Sequence, residues 1–289
     1  MSFLKGFVLL LRPVNCLMMG LAVIVGELIA YGNVFISLQT LLGFITSFTL
    51  TGASMVANDY WDRFVDKVNT PNRPIPSGLI SEKIALVYAF ILIVIGISTA
   101  ILTNILCLAI AIVALSISLL YSFKGKETGL TGNFMVSACV ALPLVYGGFL
   151  YKGFSWDFAG LWSLFFFALM AFLANTGREV TKSIVDVEGD RLRSVRSVAL
   201  NYSEKTAVFG AISFYILSVG LSVFPWLLGF TSWFYLPFVI LADAGFIASS
   251  LMLLRDGSKE NAKKMKNMVL LWMMIGLLAF IAGSLRVGF

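Results

Sequence analysis

Nine stretches of roughly 20 apolar residues recur along the chain, near 14–31, 36–57, 84–102, 104–122, 130–151, 159–177, 206–224, 234–254 and 267–285. A helix of roughly 20 residues crosses a hydrocarbon core of about 30 Å. Within lipid, only helices and closed barrels satisfy every backbone polar group. The runs are continuous and long, so the fold class predicted is an all-α polytopic membrane protein with about nine transmembrane helices. Composition agrees. The 289 residues are 59% hydrophobic and 12% charged, where soluble domains are about 45–50% apolar and about 25% charged. A soluble globular enzyme, a disordered chain and a secreted disulfide scaffold are excluded. Histidine is absent, which excludes His-dependent triads, His metal sites and His proton shuttles. Cys16, Cys107 and Cys139 all sit in apolar runs and read as packing residues.

The chain reads as one domain over 1–289. Its first apolar stretch, Phe7–Leu11, is interrupted by Arg12-Pro13, with no small-residue cleavage site after it. Residues 1–12 therefore predict an interfacial amphipathic segment rather than a cleaved signal. With nine spans, 19 of the 21 basic residues fall on one side, leaving Lys152 and Arg286 on the other. The positive-inside rule makes the rich side cytoplasmic, and it accounts for the net charge of +6 without any nucleic-acid partner. Two cytoplasmic segments are long, 58–83 and 178–205, and long polar loops on a rigid scaffold are where function concentrates.

Each long loop opens on acids. In Asn58-Asp-Tyr-Trp-Asp-Arg-Phe-Val-Asp66, helical spacing stacks Asp59, Asp62 and Asp66 on one face, with Arg63 beside them. In Arg178-Glu-Val-Thr-Lys-Ser-Ile-Val-Asp-Val-Glu-Gly-Asp190, Asp186 and Asp190 share a face, as do Arg178 and Lys182. Glu179 precedes Asp186 by one heptad, as Asp59 precedes Asp66. The motifs lie 120 residues and four spans apart. This suggests two pseudo-repeated four-helix halves plus one further helix. Acids at helix ends are usually solvated caps, but carboxylates stacked at a membrane boundary repel one another and are costly. A hard divalent cation such as Mg²⁺ removes that cost. It typically binds one or two carboxylates together with substrate phosphate oxygens. Two such clusters suit a diphosphate leaving group, with Arg63, Arg73, Lys124, Arg178 and Lys182 as candidate donors to its oxygens. A pyrophosphate at the cytoplasmic mouth and a hydrocarbon tail within the bundle would use both halves of this composition.

These residues resemble the UbiA superfamily of membrane prenyltransferases. The N-D-x-x-D-x-x-x-D pattern stands at Asn58–Asp66, an R-P-x-P-x-G loop at Arg73–Gly78, and a second D-x-x-x-D pattern at Asp186–Asp190. The resemblance covers nearly the whole chain. It implies helices around a central cavity, dependence on Mg²⁺, and transfer of a prenyl group from its diphosphate to an acceptor. It implies metal ligation by Asn58, Asp59, Asp62, Asp66, Asp186 and Asp190. The stretch 178–190 and the opening Arg12-Pro13-Val14-Asn15 look most like the archaeal ether-lipid branch, whose donor is geranylgeranyl diphosphate and whose acceptor is geranylgeranylglyceryl phosphate. Two departures stand out. Arg191–Ala199 replaces a Gly-rich turn followed by T-L-P. The superfamily's Tyr-x-x-x-Lys becomes Tyr121-Ser-Phe-Lys124-Gly-Lys126, leaving Lys124 and Lys126 as alternatives.

The acidic residues Asp59, Asp62, Asp66, Glu179, Asp186 and Asp190 are thus the catalytic candidates, with Glu179 or Asp66 as acceptors of the hydroxyl proton. Asn15 either reaches the acceptor phosphate or caps its helix. Arg193 either binds that phosphate or supplies topology charge. Tyr60, Tyr121 or Tyr146 either faces the developing allylic cation or packs, and Tyr121 is also a candidate acceptor contact. The two prolines at Arg73-Pro74-Ile75-Pro76 predict an extended, stiff loop suited to a lid. Glu27 and Asp243, within spans, are functional candidates or hydrogen-bonded structural groups. Two alternative functions remain at this level. One is prenylation of an aromatic acceptor, which would want an arginine inside a span, and none is present. The other is secondary transport, for which the acids lie at one membrane face rather than the midplane.

Overall fold

The computed structural model describes residues 3–32, 37–151, 158–192 and 195–284. The elements in order are α1 (Phe3–Leu11), α2 (Pro13–Tyr31), α3 (Leu38–Asn69), α4 (Glu82–Thr103), α5 (Ile105–Phe123), α6 (Leu130–Gly148), α7 (Phe158–Val185), α8 (Val187–Leu192), α9 (Val198–Asn201), α10 (Glu204–Ser222), α11 (Phe224–Leu227), α12 (Tyr235–Arg255) and α13 (Lys259–Ser284). Among the described residues nine helices run 19 residues or longer, and eight of them are long and apolar enough to cross a membrane. The remaining one, α7, carries the second acidic motif at its C-terminal end. Arg193, a candidate acceptor residue, lies outside the described residues, as do Lys152 and Arg286.

Helices α3, α4, α5 and α10 start where the sequence supplies a side-chain acceptor for unpaired N–H groups. Ser37, Ser81 and Ser203 cap α3, α4 and α10 by accepting from the third residue on. Asn104 alone separates α4 from α5. Its Oδ1 accepts from the amides of Leu106 and Cys107, while Nδ2 donates to the carbonyls of Phe149 and Leu150 at 2.7 and 3.2 Å. One side chain thus makes a one-residue reversal and ties it to the end of α6. Outside, α4 and α5 leave Val87, Phe90, Ile101, Ile105 and Ile112 exposed, the face expected toward lipid chains.

Helices α2 and α6 cross at backbone contact. A Cβ on Gly26 would overlap the Leu144 carbonyl, and one on Gly147 the Val23 carbonyl. Small residues permit such approach where no hydrophobic driving force separates helix from lipid. Helix α3 packs chiefly on α4, and α7 on α10, so each motif-bearing helix leans on the next long one. The intramembrane acids are hydrogen-bonded. Glu27 is fully buried and accepts from Thr40 and Tyr151 at 3.1 and 2.9 Å. Asp243 accepts from Ser222 at 2.6 Å.

Several expected boundaries move. Helix α3 continues twelve residues past the expected end of its span, and α7 eight past, so the first acidic motif is wholly helical and the second is helical on either side of a break at Asp186. The expected loop 255–266 shrinks to three residues, because α13 begins at Lys259. The segment after α3 is not extended. Ile80 donates its N–H to the Pro74 carbonyl and Ser77 to that of Arg73, and buried Ile75 and Ile80 join Leu10, Val56 and Leu92 in one core cluster. Two prolines stiffen this segment, but apolar anchors fold it back against α1 and α3.

Candidate active site

Both motifs line one cavity of about 560 Å³ at the end of the bundle. From α3 come Asn58 and Asp62; from the end of α7 and from α8 come Glu179, Lys182, Asp186 and Asp190; Tyr121 stands at the end of α5. Helix α7 breaks at Asp186, yet the Asp190 amide still donates to the Asp186 carbonyl at 2.8 Å. The helical register therefore carries both carboxylates to the same cavity.

The first motif's acids are almost completely buried: Asp59, Asp62 and Asp66 are 4, 7 and 2% exposed. Buried carboxylates need countercharge, and three cations from three different segments supply it. Arg73 Nη1 bridges Asp66 Oδ2 at 2.6 Å and Asp59 Oδ1 at 3.3 Å. Arg12 Nη2 reaches Asp59 Oδ1 at 2.6 Å. Lys126 Nζ pairs with Asp62 Oδ1 at 2.5 Å, and Asn58 Nδ2 donates to Asp62 Oδ2 at 3.1 Å. Asp59 and Asp66 therefore sit beneath Arg12 and Arg73, while Asp62 opens directly on the cavity. In the second motif Glu179 accepts from Arg178 and Lys182 at 3.1 and 3.3 Å. Lys259 of α13 holds the exposed Glu188 at 2.9 Å, a hydrogen bond that draws this carboxyl below its usual pKa.

Arg12 was not among the expected site residues. Among the described residues it is the only one other than glycine at positive φ, 51°. A left-handed conformation is unfavourable for a residue with a Cβ, and here it turns the chain from α1 into α2 immediately before Pro13. The Asp59 pair and a 3.6 Å contact to Met55 Sδ hold it. The sequence signal was the interruption of an apolar stretch by Arg-Pro.

Some expected residues do not reach the cavity. Arg63 lies on the other side of α3, where it pairs with Glu82 at 3.0 Å, donates to the Tyr60 carbonyl and covers the Tyr60 and Phe64 rings. One residue past Asp62 means a 100° turn, enough to face it away. Lys124 is exposed at the end of α5, and Lys126, two residues on, takes its expected place. Asn15 is exposed on the first turn of α2. Arg178 reaches the site only through Glu179. Lys126→Met is accordingly expected to lower kcat/KM about 100-fold, as loss of a charge-assisted contact at the reacting group does. Lys124→Met should stay within about threefold. Initial rates of the two purified variants decide between the lysines.

Mg²⁺ suits the donor set, which is all hard oxygen and stands on two walls of one cavity. Among the described residues no three carboxylates are already gathered as a metal cluster. Instead, basic side chains engage the acids that the metal would otherwise neutralise. The unfavourable burial of three neighbouring acids is the observation that fits the group to the site.

A bundle of membrane-length helices, with carboxylates and cations gathered at one end, defines an integral multi-pass membrane protein with a polar site at its mouth. The UbiA prenyltransferase family model matches residues 19–281. Curated relatives called digeranylgeranylglyceryl phosphate synthase are 34% identical in Pyrococcus furiosus and 35% in Methanopyrus kandleri. The alignments cover 98% of this chain in both cases and 99% and 100% of the relatives. A solved structure described as concerning digeranylgeranylglyceryl phosphate synthase in membranes superposes with a TM-score of 0.83 at 31% identity, covering 99% of this chain and 100% of that one. A UbiA homolog from Archaeoglobus fulgidus, bound to GPP and Mg²⁺, shares the fold with a TM-score of 0.68 at 19% identity, covering 96% and 99%. The chain belongs to the UbiA prenyltransferase family, and it is a prenyltransferase.

Proposed function

We propose that the protein transfers a geranylgeranyl group from geranylgeranyl diphosphate to the free hydroxyl of geranylgeranylglyceryl phosphate, forming the second ether of an archaeal membrane lipid. The observation that carries this reading is the single cavity lined from both acidic motifs. The full-length similarity to synthases of that name supports the choice of acceptor. The charge asymmetry, with 19 of the 21 basic residues on one side, supports a cytoplasmic position for the cavity.

In this reading Asn58, Asp59, Asp62 and Asp66 hold Mg²⁺ from one wall and Asp186 and Asp190 from the other. Bound there, the metal supplies positive charge to the departing diphosphate. Arg12, Arg73 and Lys126 exchange carboxylate partners for diphosphate oxygens as substrate arrives, and Lys182 adds a donor from the facing wall. The bond between the prenyl C1 and the diphosphate oxygen breaks, and the acceptor hydroxyl oxygen forms a new bond to C1. Its proton passes to a carboxylate of the cavity or to the released diphosphate. Tyr121, half-buried in the cavity wall, presents its ring where positive charge develops. A separate apolar cavity of about 120 Å³ lies among α2, α6, α7, α12 and α13, lined by Met18, Ala22, Met170, Phe246, Met273 and Phe280, and would take part of the hydrocarbon tail. Methionines adapt to an irregular tail, and a water-excluding wall protects the cation from hydrolysis.

Mass spectrometry of products formed from geranylgeranyl diphosphate, with geranylgeranylglyceryl phosphate and aromatic acids in competition, tests the reading. The expected product is the diether phosphate. A prenylated aromatic acid as the main product would overturn it.

A further inference from the structure

Ser197 stands in the cavity wall just after the second motif. It is 5% exposed, and its Oγ has no hydrogen-bond partner among the described residues. It occupies the capping position of α9 without capping it. Buried hydroxyls in folded proteins nearly always find a partner, so one facing a cavity unpaired points to a ligand atom.

The wall around it is built rather than incidental. The Arg196 amide donates to the Glu127 carbonyl at 3.0 Å. Gly129, at φ +67°, lies against the Arg196 carbonyl where a Cβ would overlap it. The strand-like 195–197 segment is thereby locked to the turn that carries Lys126. One helical turn into α6, Asn133 also lines the cavity, and its backbone amide donates to the Gly129 carbonyl at 3.1 Å. A hydroxyl and a carboxamide thus line the cavity beside the turn that carries Lys126, and both can donate to the oxygens of a phosphomonoester.

We propose that Ser197 and Asn133 bind the phosphate of the acceptor substrate. The inference rests on the reading above, in which the acceptor is itself a phosphomonoester. Two anionic head groups then share one cavity. Arg12 and Arg73 stand over Asp59 and Asp66 for the diphosphate. Ser197 lines the same cavity beside the turn whose Lys126 pairs with Asp62.

Titration calorimetry on the purified protein with glycerol 1-phosphate, and separately with pyrophosphate plus Mg²⁺, tests the proposal alongside steady-state rates. Ser197→Ala should weaken glycerol phosphate binding and raise the acceptor KM about tenfold, as loss of a hydrogen bond to a charged group does. The donor KM and pyrophosphate affinity should stay within twofold. Ser197→Thr should restore acceptor binding, and Asn133→Ala should reproduce the Ser197→Ala pattern. Weakened pyrophosphate binding with unchanged glycerol phosphate binding would assign the hydroxyl to the donor and overturn the proposal. Equal affinities for both probes in wild type and variants would overturn it too. If the wild-type protein neither binds glycerol phosphate nor uses a phosphomonoester acceptor, the functional reading itself fails, whatever the variants do.

Discussion

Asp62→Ala is expected to lower kcat/KM for prenyl transfer about 1,000-fold, and Asp186→Ala to do nearly the same. Each removes a carboxylate that opens directly on the cavity from a different wall. Groups that stabilise charge developing in the transition state are worth about 100- to 1,000-fold each, and in the proposed mechanism each carboxylate acts through the ion it would hold. Neither change should unfold the protein. Losing Asp62 leaves Lys126 unpaired, but this side chain keeps 18% of its surface in contact with solvent. Glu82→Ala is the control. It removes the exposed partner of Arg63 on the far side of α3, and activity should remain within twofold. Initial rates with labelled geranylgeranyl diphosphate at saturating Mg²⁺ make the comparison. Near-normal rates in both Asp variants would remove the two-wall account.

The second large effect is on stability. Arg73→Ala strips Asp66 and half of the Asp59 pairing of countercharge, and Asp66 is 2% exposed. Breaking a fully buried pair costs about 3–5 kcal/mol. Arg73 is itself about one-third exposed, so solvent screens part of the interaction and about 2 kcal/mol is expected. The sign of the magnesium effect is the sharper readout. In the wild type, Mg²⁺ must compete with Arg12, Arg73 and Lys126 for the acids. In the variant it replaces a missing charge. The thermal midpoint of Arg73→Ala should therefore fall by several degrees without Mg²⁺ and recover more on its addition than the wild type gains. An equal increment in both proteins would show that Arg73 does not stand where the ion binds.

What the sequence revealed, and what it hid, follows from the range of each interaction. Apolar runs of bilayer length were legible because lipid imposes helix on every spanning segment. Their ends were not, because α3 and α7 carry on beyond the apolar runs as helices of mixed polarity, and hydropathy falls before helicity does. The acids were legible because periodicity along one helix places them on a shared face. The cations were harder, since what they touch depends on how separate elements meet. Arg63 is adjacent to Asp62 in sequence and turned away from it in space. Arg12 is 47 residues from Asp59 and bonded to it. Lys126 replaces Lys124 because the turn after α5 aims the later lysine inward. Ser197 and Asn133 carried no sequence signal at all. Their significance appears only when the 195–197 segment is seen closed against the turn at Gly129.

In the proposed mechanism the two motifs hold divalent metal and diphosphate between them. Crystals grown with Mn²⁺ in place of Mg²⁺, together with a non-hydrolysable geranylgeranyl thiodiphosphate, test this by anomalous diffraction. The predicted result is anomalous density between Asp62 and Asp186, with ligands drawn from both Asn58–Asp66 and Asp186–Asp190, and with Arg73 and Lys126 turned from their carboxylates to the diphosphate. Metal density confined to one motif, or lying elsewhere with the Arg73–Asp66 and Lys126–Asp62 pairs intact, would contradict it.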